Sequence, residues 1–155
     1  MKKVKLLFFV LISISVLNLV SCKKDDDGGT TPGSNGSISL VVDGSSWNAS
    51  LSVQAVNTNG VINITGSDSN AKQASIMLYN VTETGTYTVE GSNQLRWTEG
   101  LGQDDSYIAS FLLGSGTITV TELSATSIKG TFSFTGVNTA QSSKSITDGV
   151  FEATF

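Results

Sequence analysis

The chain has 155 residues, 13 acidic against nine basic side chains, a formal net charge of −4, a single cysteine and no histidine. Lacking histidine, it cannot build a Ser-His-Asp triad, a Cys-His pair or the usual His/Cys zinc sites. It carries no basic stripe of the kind that binds nucleic acid, and its lone Cys22 cannot close a disulfide within the chain.

Lys2, Lys3 and Lys5 make a cationic opening, and the stretch from Leu6 to Val20 is apolar apart from Ser13, Ser15 and Asn18. That layout predicts a signal-peptide helix over residues 1–21 that is removed on export. A retained spanning helix needs roughly 20 apolar residues, more than this run supplies. Cys22 follows small residues at once, which places its thiol for covalent lipidation.

Leu19-Val20-Ser21-Cys22 resembles a bacterial lipobox. The resemblance implies diacylglycerol on the Cys22 thiol and cleavage just before it. Lys23-Lys24-Asp25-Asp26-Asp27 resembles the surface-export signal of Bacteroidetes-type lipoproteins, with two lysines ahead of the acids. Together these imply an outer-membrane lipoprotein facing the cell surface, with the membrane as partner through its lipid anchor. Two or more acyl chains hold a protein on a bilayer where one barely does, at about 0.8 kcal/mol per buried methylene. The Asp, Gly, Thr, Ser and Asn that fill the chain to Gly36, with the one proline at Pro32, have nothing apolar to bury. Residues 22–36 are therefore expected to be a lipidated cysteine and disordered tether, spanning roughly 20 Å as a flexible coil.

From residue 37 to 155 the pattern is β throughout. Ile38, Leu40 and Val42 alternate up to the turn signal Asp43-Gly44, and Trp47 enters the next strand. Leu51, Val53 and Ala55 alternate next, and Asn59-Gly60 marks a hairpin because both residues tolerate positive φ. Ala74, Ile76 and Leu78 form another alternation, and Gly85 opens Thr86-Tyr87-Thr88-Val89. Tyr107, Ala109 and Phe111 read as one inward-facing set. Ile118 and Val120 lead into Ile128, Gly130, Phe132, Phe134 and Gly136, and then Phe151, Ala153 and Phe155. A period of two sends these inward while Thr131, Ser133 and Thr135 meet solvent. The expected fold is all-β: an antiparallel β-sandwich of about nine or ten strands, ending in a three-stranded meander, with a closed lipocalin-like β-barrel as the alternative.

The domain also resembles a group of small, uncharacterised Bacteroidetes lipoprotein domains. The features that carry this are Val42-Asp43-Gly44-Ser45-Ser46-Trp47, Gly85-Thr86-Tyr87, Lys129-Gly130-Thr131-Phe132-Ser133-Phe134 and Ile146-Thr147-Asp148-Gly149-Val150-Phe151. The resemblance implies a β-rich extracytoplasmic domain and no particular activity.

Candidate site residues concentrate on one Gly-rich connection. Glu99, Asp104 and Asp105 form the tight acidic group of the domain, with Arg96 and Trp97 before and Tyr107 after. Aromatic planes beside carboxylates and a guanidinium would suit a sugar ring, and loops carry function more often than strands. The plainer reading makes these acids a solvated loop, and Trp97, Tyr107 and Trp47 strand residues of the core. Asp68-Ser69-Asn70 offers paired oxygens but lacks the glycine and closing glutamate of a calcium loop, and an Asx turn explains it equally well. No metal or other cofactor is expected. The function expected is a non-catalytic binding or scaffold module for an extracellular glycan or protein. The alternatives are a carbohydrate-active enzyme using Glu99 with Asp104 or Asp105, and a lipocalin-like carrier of a small apolar ligand.

Overall fold

The computed structural model describes residues 35–155. The expected signal-peptide helix, Cys22 and all but the last two residues of the expected tether lie outside the described residues. The described residues are all-β and contain no helix: β1 (Gly36–Val42), β2 (Ser45–Asn48), β3 (Ser52–Thr58), β4 (Val61–Ser67), β5 (Gln73–Tyr79), β6 (Gly85–Thr88), β7 (Gln94–Thr98), β8 (Ser106–Ala109), β9 (Ser115–Leu123), β10 (Ser127–Val137) and β11 (Ser143–Thr154). Eleven strands form, slightly more than expected, because four-residue pieces such as β2 and β8 pair as strands in their own right. β1 begins at Gly36, inside the segment read as tether, since Asn35 and Gly36 already bond to the sheet: Gly36 pairs with Ala153 and the Asn35 N–H donates to the Val53 carbonyl at 2.9 Å.

Both turns read from Asx-Gly pairs form. Asp43 and Gly44 have φ of 46° and 86°, and Asn59 and Gly60 have 52° and 81°, the positive values that a two-residue type I′ hairpin requires. The alternating patterns then set the register. β4 and β5 present Ile62, Ile64, Ala74, Ile76 and Leu78 to the interior while their neighbours stay part-exposed. Two apolar residues depart from their expected places. Leu51 precedes β3 and is exposed, and Phe111 lies beyond the end of β8 and is 71% exposed. The cause at Phe111 is local. Ser110 and Leu113 exchange backbone hydrogen bonds of 2.7 and 3.2 Å, closing a tight turn that throws Phe111 and Leu112 to its tip.

All ladders are antiparallel, and the strands make one hydrogen-bonded sheet in the order β2-β1-β11-β10-β8-β7-β5-β4-β3. The sheet forks along one edge of β10, where Ile128–Thr135 pair with β9 and Val137 pairs with Ile108 of β8. One limb is therefore β6-β9-β10-β11-β1-β2 and the other β8-β7-β5-β4-β3. The sheet curls so that the limbs face each other: the Trp47 and Trp97 rings, one from each limb, meet edge-on at 4.9 Å. Among the described residues no ladder joins β2 to β3, so the closed-barrel alternative is not formed. The meander β9-β10-β11 appears as the alternation predicts. Between the limbs, Trp97, Phe151, Ile38, Leu95, Ile118 and Ile146 are all under 2% exposed, and Phe132 packs against both Phe134 and Phe151.

Candidate functional site

The connection from β7 to β8 folds on itself. The Glu99 N–H donates to the Asp105 carbonyl at 2.9 Å, and the Asp105 carboxylate accepts the Gly102 N–H at 2.8 Å. Asp104 is tied instead to the β10–β11 turn. Its carboxylate accepts the Thr139 hydroxyl, and its carbonyl accepts the Asn138 side-chain amide at 2.7 Å. These two aspartates hold loops in place.

Glu99 is turned elsewhere. Its Oε1 accepts the Trp97 indole N–H and lies 3.1 Å from Lys144 Nζ on β11. The same ammonium reaches the Asp43 carboxylate at 3.2 Å and sits 5.4 Å from the centroid of the Tyr107 ring. Asp43 also accepts the Ser145 N–H at 3.0 Å. Beside this cluster, Trp47 donates its indole N–H to Asp68 at 2.8 Å, and Asp68 accepts the Asn70 and Lys72 N–H groups in an Asx turn. The side chains border a cleft of about 230 Å³ between Trp47, Ser45, Lys72, Glu99 and Lys144. Three chain reversals and the start of the last strand thus converge on one end of the molecule.

The residues picked from sequence divide accordingly. Glu99, Trp97 and Tyr107 come together through Lys144. Trp97 is 1% exposed and Tyr107 9%, so neither ring offers a face for stacking a ligand. Arg96 alternates with Trp97 along β7, bonds to Gln94 at 3.4 Å, and does not join the cluster. Lys144, Asp43 and Lys72 were missed because the contacts join distant segments: Lys144 and Asp43 are 101 residues apart. Only the β1–β11 register brings them together, and no local motif announces it.

Electrostatics bias Asp43, Asp68 and Lys144 toward their charged forms. The Ser145 N–H, then Lys144, hold the Asp43 carboxyl below its ordinary value. Burial acts to raise Asp68, but the Trp47 indole and the Lys72 and Asn70 amides outweigh it and leave it lowered. Hydrogen bonding to Glu99 raises Lys144 despite its partial burial, with Asp43 adding to the effect. A group that shuttles protons near neutrality needs the opposite: a carboxyl pushed up or a lysine pushed down. Among the described residues no group of three or more carboxylate, histidine or cysteine side chains converges as a metal site would require.

No curated protein matches the chain, and no solved structure does. The family described as a domain of unknown function, DUF6252, matches residues 34–154, nearly the whole of the β-domain, and the chain belongs to that family.

Proposed function

We propose that the chain is a lipid-anchored extracytoplasmic module, held on the outer membrane through Cys22 and facing the cell surface, that binds or scaffolds a partner without catalysis. The address rests on the sequence: the cationic and apolar opening, the lipobox-like Leu19-Val20-Ser21-Cys22 and the acidic run behind it. The observation that carries the non-catalytic reading is the mutual engagement of the ionisable groups at the candidate site. Lys144 is bound by two carboxylates, Asp43 and Glu99, while Asp104 and Asp105 hold the loops. The carboxylates of Asp43, Glu99, Asp104 and Asp105 each already have a protein partner.

Chain direction supports an outward-facing site. The polypeptide enters the domain at Gly36, and the Asp43–Lys144 cluster lies at the far end of β1. Seven residues of extended chain separate the two by roughly 20 Å. A domain hung from the residues before Asn35 turns that end away from its anchor.

Two measurements test the reading. Metabolic labelling with a palmitate analogue should mark the wild-type protein and not Cys22→Ala. Protease added to intact cells should remove the domain; a lipidated protein protected until the outer membrane is broken would place it on the inner leaflet and defeat the surface assignment.

A further inference from the structure

A second concavity, separate from the charged cleft, crosses the outer face of the limb containing β9, β10 and β11. It is a groove of about 530 Å³, within the usual range for ligand sites. Its floor is made of hydroxyls. Thr88 pairs with Thr117 and Thr117 with Ser133 across β6, β9 and β10. In the neighbouring row Ser115 pairs with Thr135 and Thr135 with Ser145 across β9, β10 and β11. These residues alternate with the buried Ile118, Phe132, Phe134 and Ile146, so their side chains point away from the core. Strand geometry spaces the hydroxyls by about 4.8 Å across strands and about 6.7 Å along them. Among the described residues, the hydroxyls of Thr117, Ser133, Thr135 and Ser145 engage no protein partner.

Phe111 stands on the rim. A phenylalanine 71% exposed leaves most of its ring in water, and covering it with an apolar surface is favourable. The backbone that carries it is fixed. The Ser110–Leu113 turn is closed at both ends, and Gly114 behind it has a φ of 70° with the Thr135 carbonyl 2.3 Å from where a Cβ would lie. An aromatic carried on a fixed turn has only its own side-chain torsions left to order on binding.

The lining also sets the charge of the occupant. Among the described residues, Glu90 is the one ionisable side chain bordering this groove and Asp148 the one bordering the depression that continues it, both acidic, so an anion finds no counter-charge there. Hydroxyls donate and accept alike, and they are best matched by a ligand whose groups do both. Phosphates and carboxylates only accept, and ammonium groups only donate. A sugar ring has the two surfaces this groove calls for: hydroxyls around its edge for the floor and an apolar C–H face for Phe111. A second depression of about 580 Å³ continues from the first, sharing Thr117, Ser133 and Thr147 and running over Thr119 and Thr131. The combined length suits a chain of sugars better than a single one.

The geometry points to a binding site for a neutral glycan chain on this groove, with Phe111 stacking on a sugar face and Thr117, Ser133 and Thr135 exchanging hydrogen bonds with its hydroxyls. This rests on the reading of the domain as a surface binding module and names what it binds.

The test is native electrophoresis of the full-length chain, purified in detergent, through gels cast with starch, xylan, mannan or mixed-linkage β-glucan, and through one cast with the anionic polygalacturonate. Retardation in at least one neutral gel and none in the anionic gel is expected. Phe111→Ala, at an exposed position, and Thr117→Val, at a half-buried one, should each weaken the retardation at least tenfold at unchanged circular dichroism. Lys72→Ala, in the charged cleft, should leave it intact. Unaltered mobility in every neutral gel overturns the proposal, as does retardation that ignores Phe111→Ala and Thr117→Val. That first failure leaves the surface module standing if palmitate labelling and surface cleavage persist. Release of reducing ends from the retarding polysaccharide overturns the non-catalytic reading and spares the groove.

Discussion

Asn138 gives the sharpest test of how the candidate end is held together. It is the buried polar side chain of the domain's described residues, 5% exposed, at the turn between β10 and β11. Its amide donates to the Asp104 carbonyl at 2.7 Å, and its Oδ1 accepts the Ser142 N–H at 2.8 Å. Asn138→Ala removes both bonds, each worth about 0.5–1.5 kcal/mol net. Asp104 and Ser142 are exposed and recover water, so the loss should fall near 1–2 kcal/mol. With a urea slope of about 1–3 kcal/mol/M, the midpoint drops by roughly 1 M.

Asn138→Asp discriminates further. It keeps an acceptor for Ser142 but turns an oxygen toward the Asp104 carbonyl where a donor stood. Burial and that carbonyl favour the protonated acid, so the folded pKa of the new carboxyl rises above about 3.9, its unfolded value. A folded state that holds its proton longer loses stability as pH climbs from the unfolded pKa through the folded one. At pH 7, Asn138→Asp should therefore be less stable than Asn138→Ala, and its deficit against wild type should shrink as pH falls toward 4. Urea unfolding followed by the fluorescence of Trp47 and Trp97 reads both variants. A deficit that does not change between pH 7 and pH 4, or an Asn138→Asp as stable as wild type at pH 7, would refute the hydrogen-bond reasoning.

Further expectations are simpler to state. Stability of the wild type should decline below about pH 4, as the depressed Asp43 and Asp68 carboxyls take up protons, the sign required when the folded pKa lies below the unfolded one. It should decline again above pH 10.5, where Lys144, raised by Glu99, and Lys129, raised by Glu122 and Glu152, lose theirs. With no histidine in the chain, a urea midpoint that moves sharply between pH 6 and 8 would contradict this. Gly60→Ala places a Cβ at a φ of 81° and should cost about 1–2 kcal/mol in equilibrium unfolding, whereas Asn59→Gly should be nearly neutral. Phe151→Ala removes a fully buried ring that packs against Phe132 and should cost about 3–5 kcal/mol; a loss under 1 kcal/mol would mean that this part of the interior is loosely packed.

Much of the fold was legible because burial on one face imposes a period of two. The inward sets at Ile38-Leu40-Val42, Ala74-Ile76-Leu78 and Ile128 to Gly136 are all buried, and both Asx-Gly turns form where the sequence places them. Alternation fails where a strand stops without a strong breaker. Phe111 continued the phase of Tyr107 and Ala109, yet Ser110-Phe111-Leu112-Leu113 turns with glycine only at its exit. The fork of the sheet at β10 was not legible, since partner choice depends on which edges meet in space. The candidate site suffered likewise. Glu99 was noticed for its acidic neighbours, but Asp104 and Asp105 point to other partners, and the lysine that engages Glu99 belongs to a strand 45 positions later. The hydroxyl rows were visible as Thr-x-Thr and Thr-x-Ser-x-Thr spacing, which any solvated strand face also shows.

The placement of β1 has a mechanical consequence. It is an interior strand, bonded to β2 on one side and β11 on the other, and it is the strand through which the preceding chain enters. A load drawn through the residues before Asn35 against an attachment at the β10–β11 turn pulls β1 and β11 lengthwise past each other, so their bonds resist together. The same load applied between Asn35 and Phe155 peels the ladder open one pair at a time, because Gly36 and Ala153 are opposite each other at its end. Single-molecule pulling along these two axes should give a high rupture force for the first and a low one for the second. The domain is therefore strongest along the line from its entry point at β1 to the β10–β11 turn, and weakest between its two described ends.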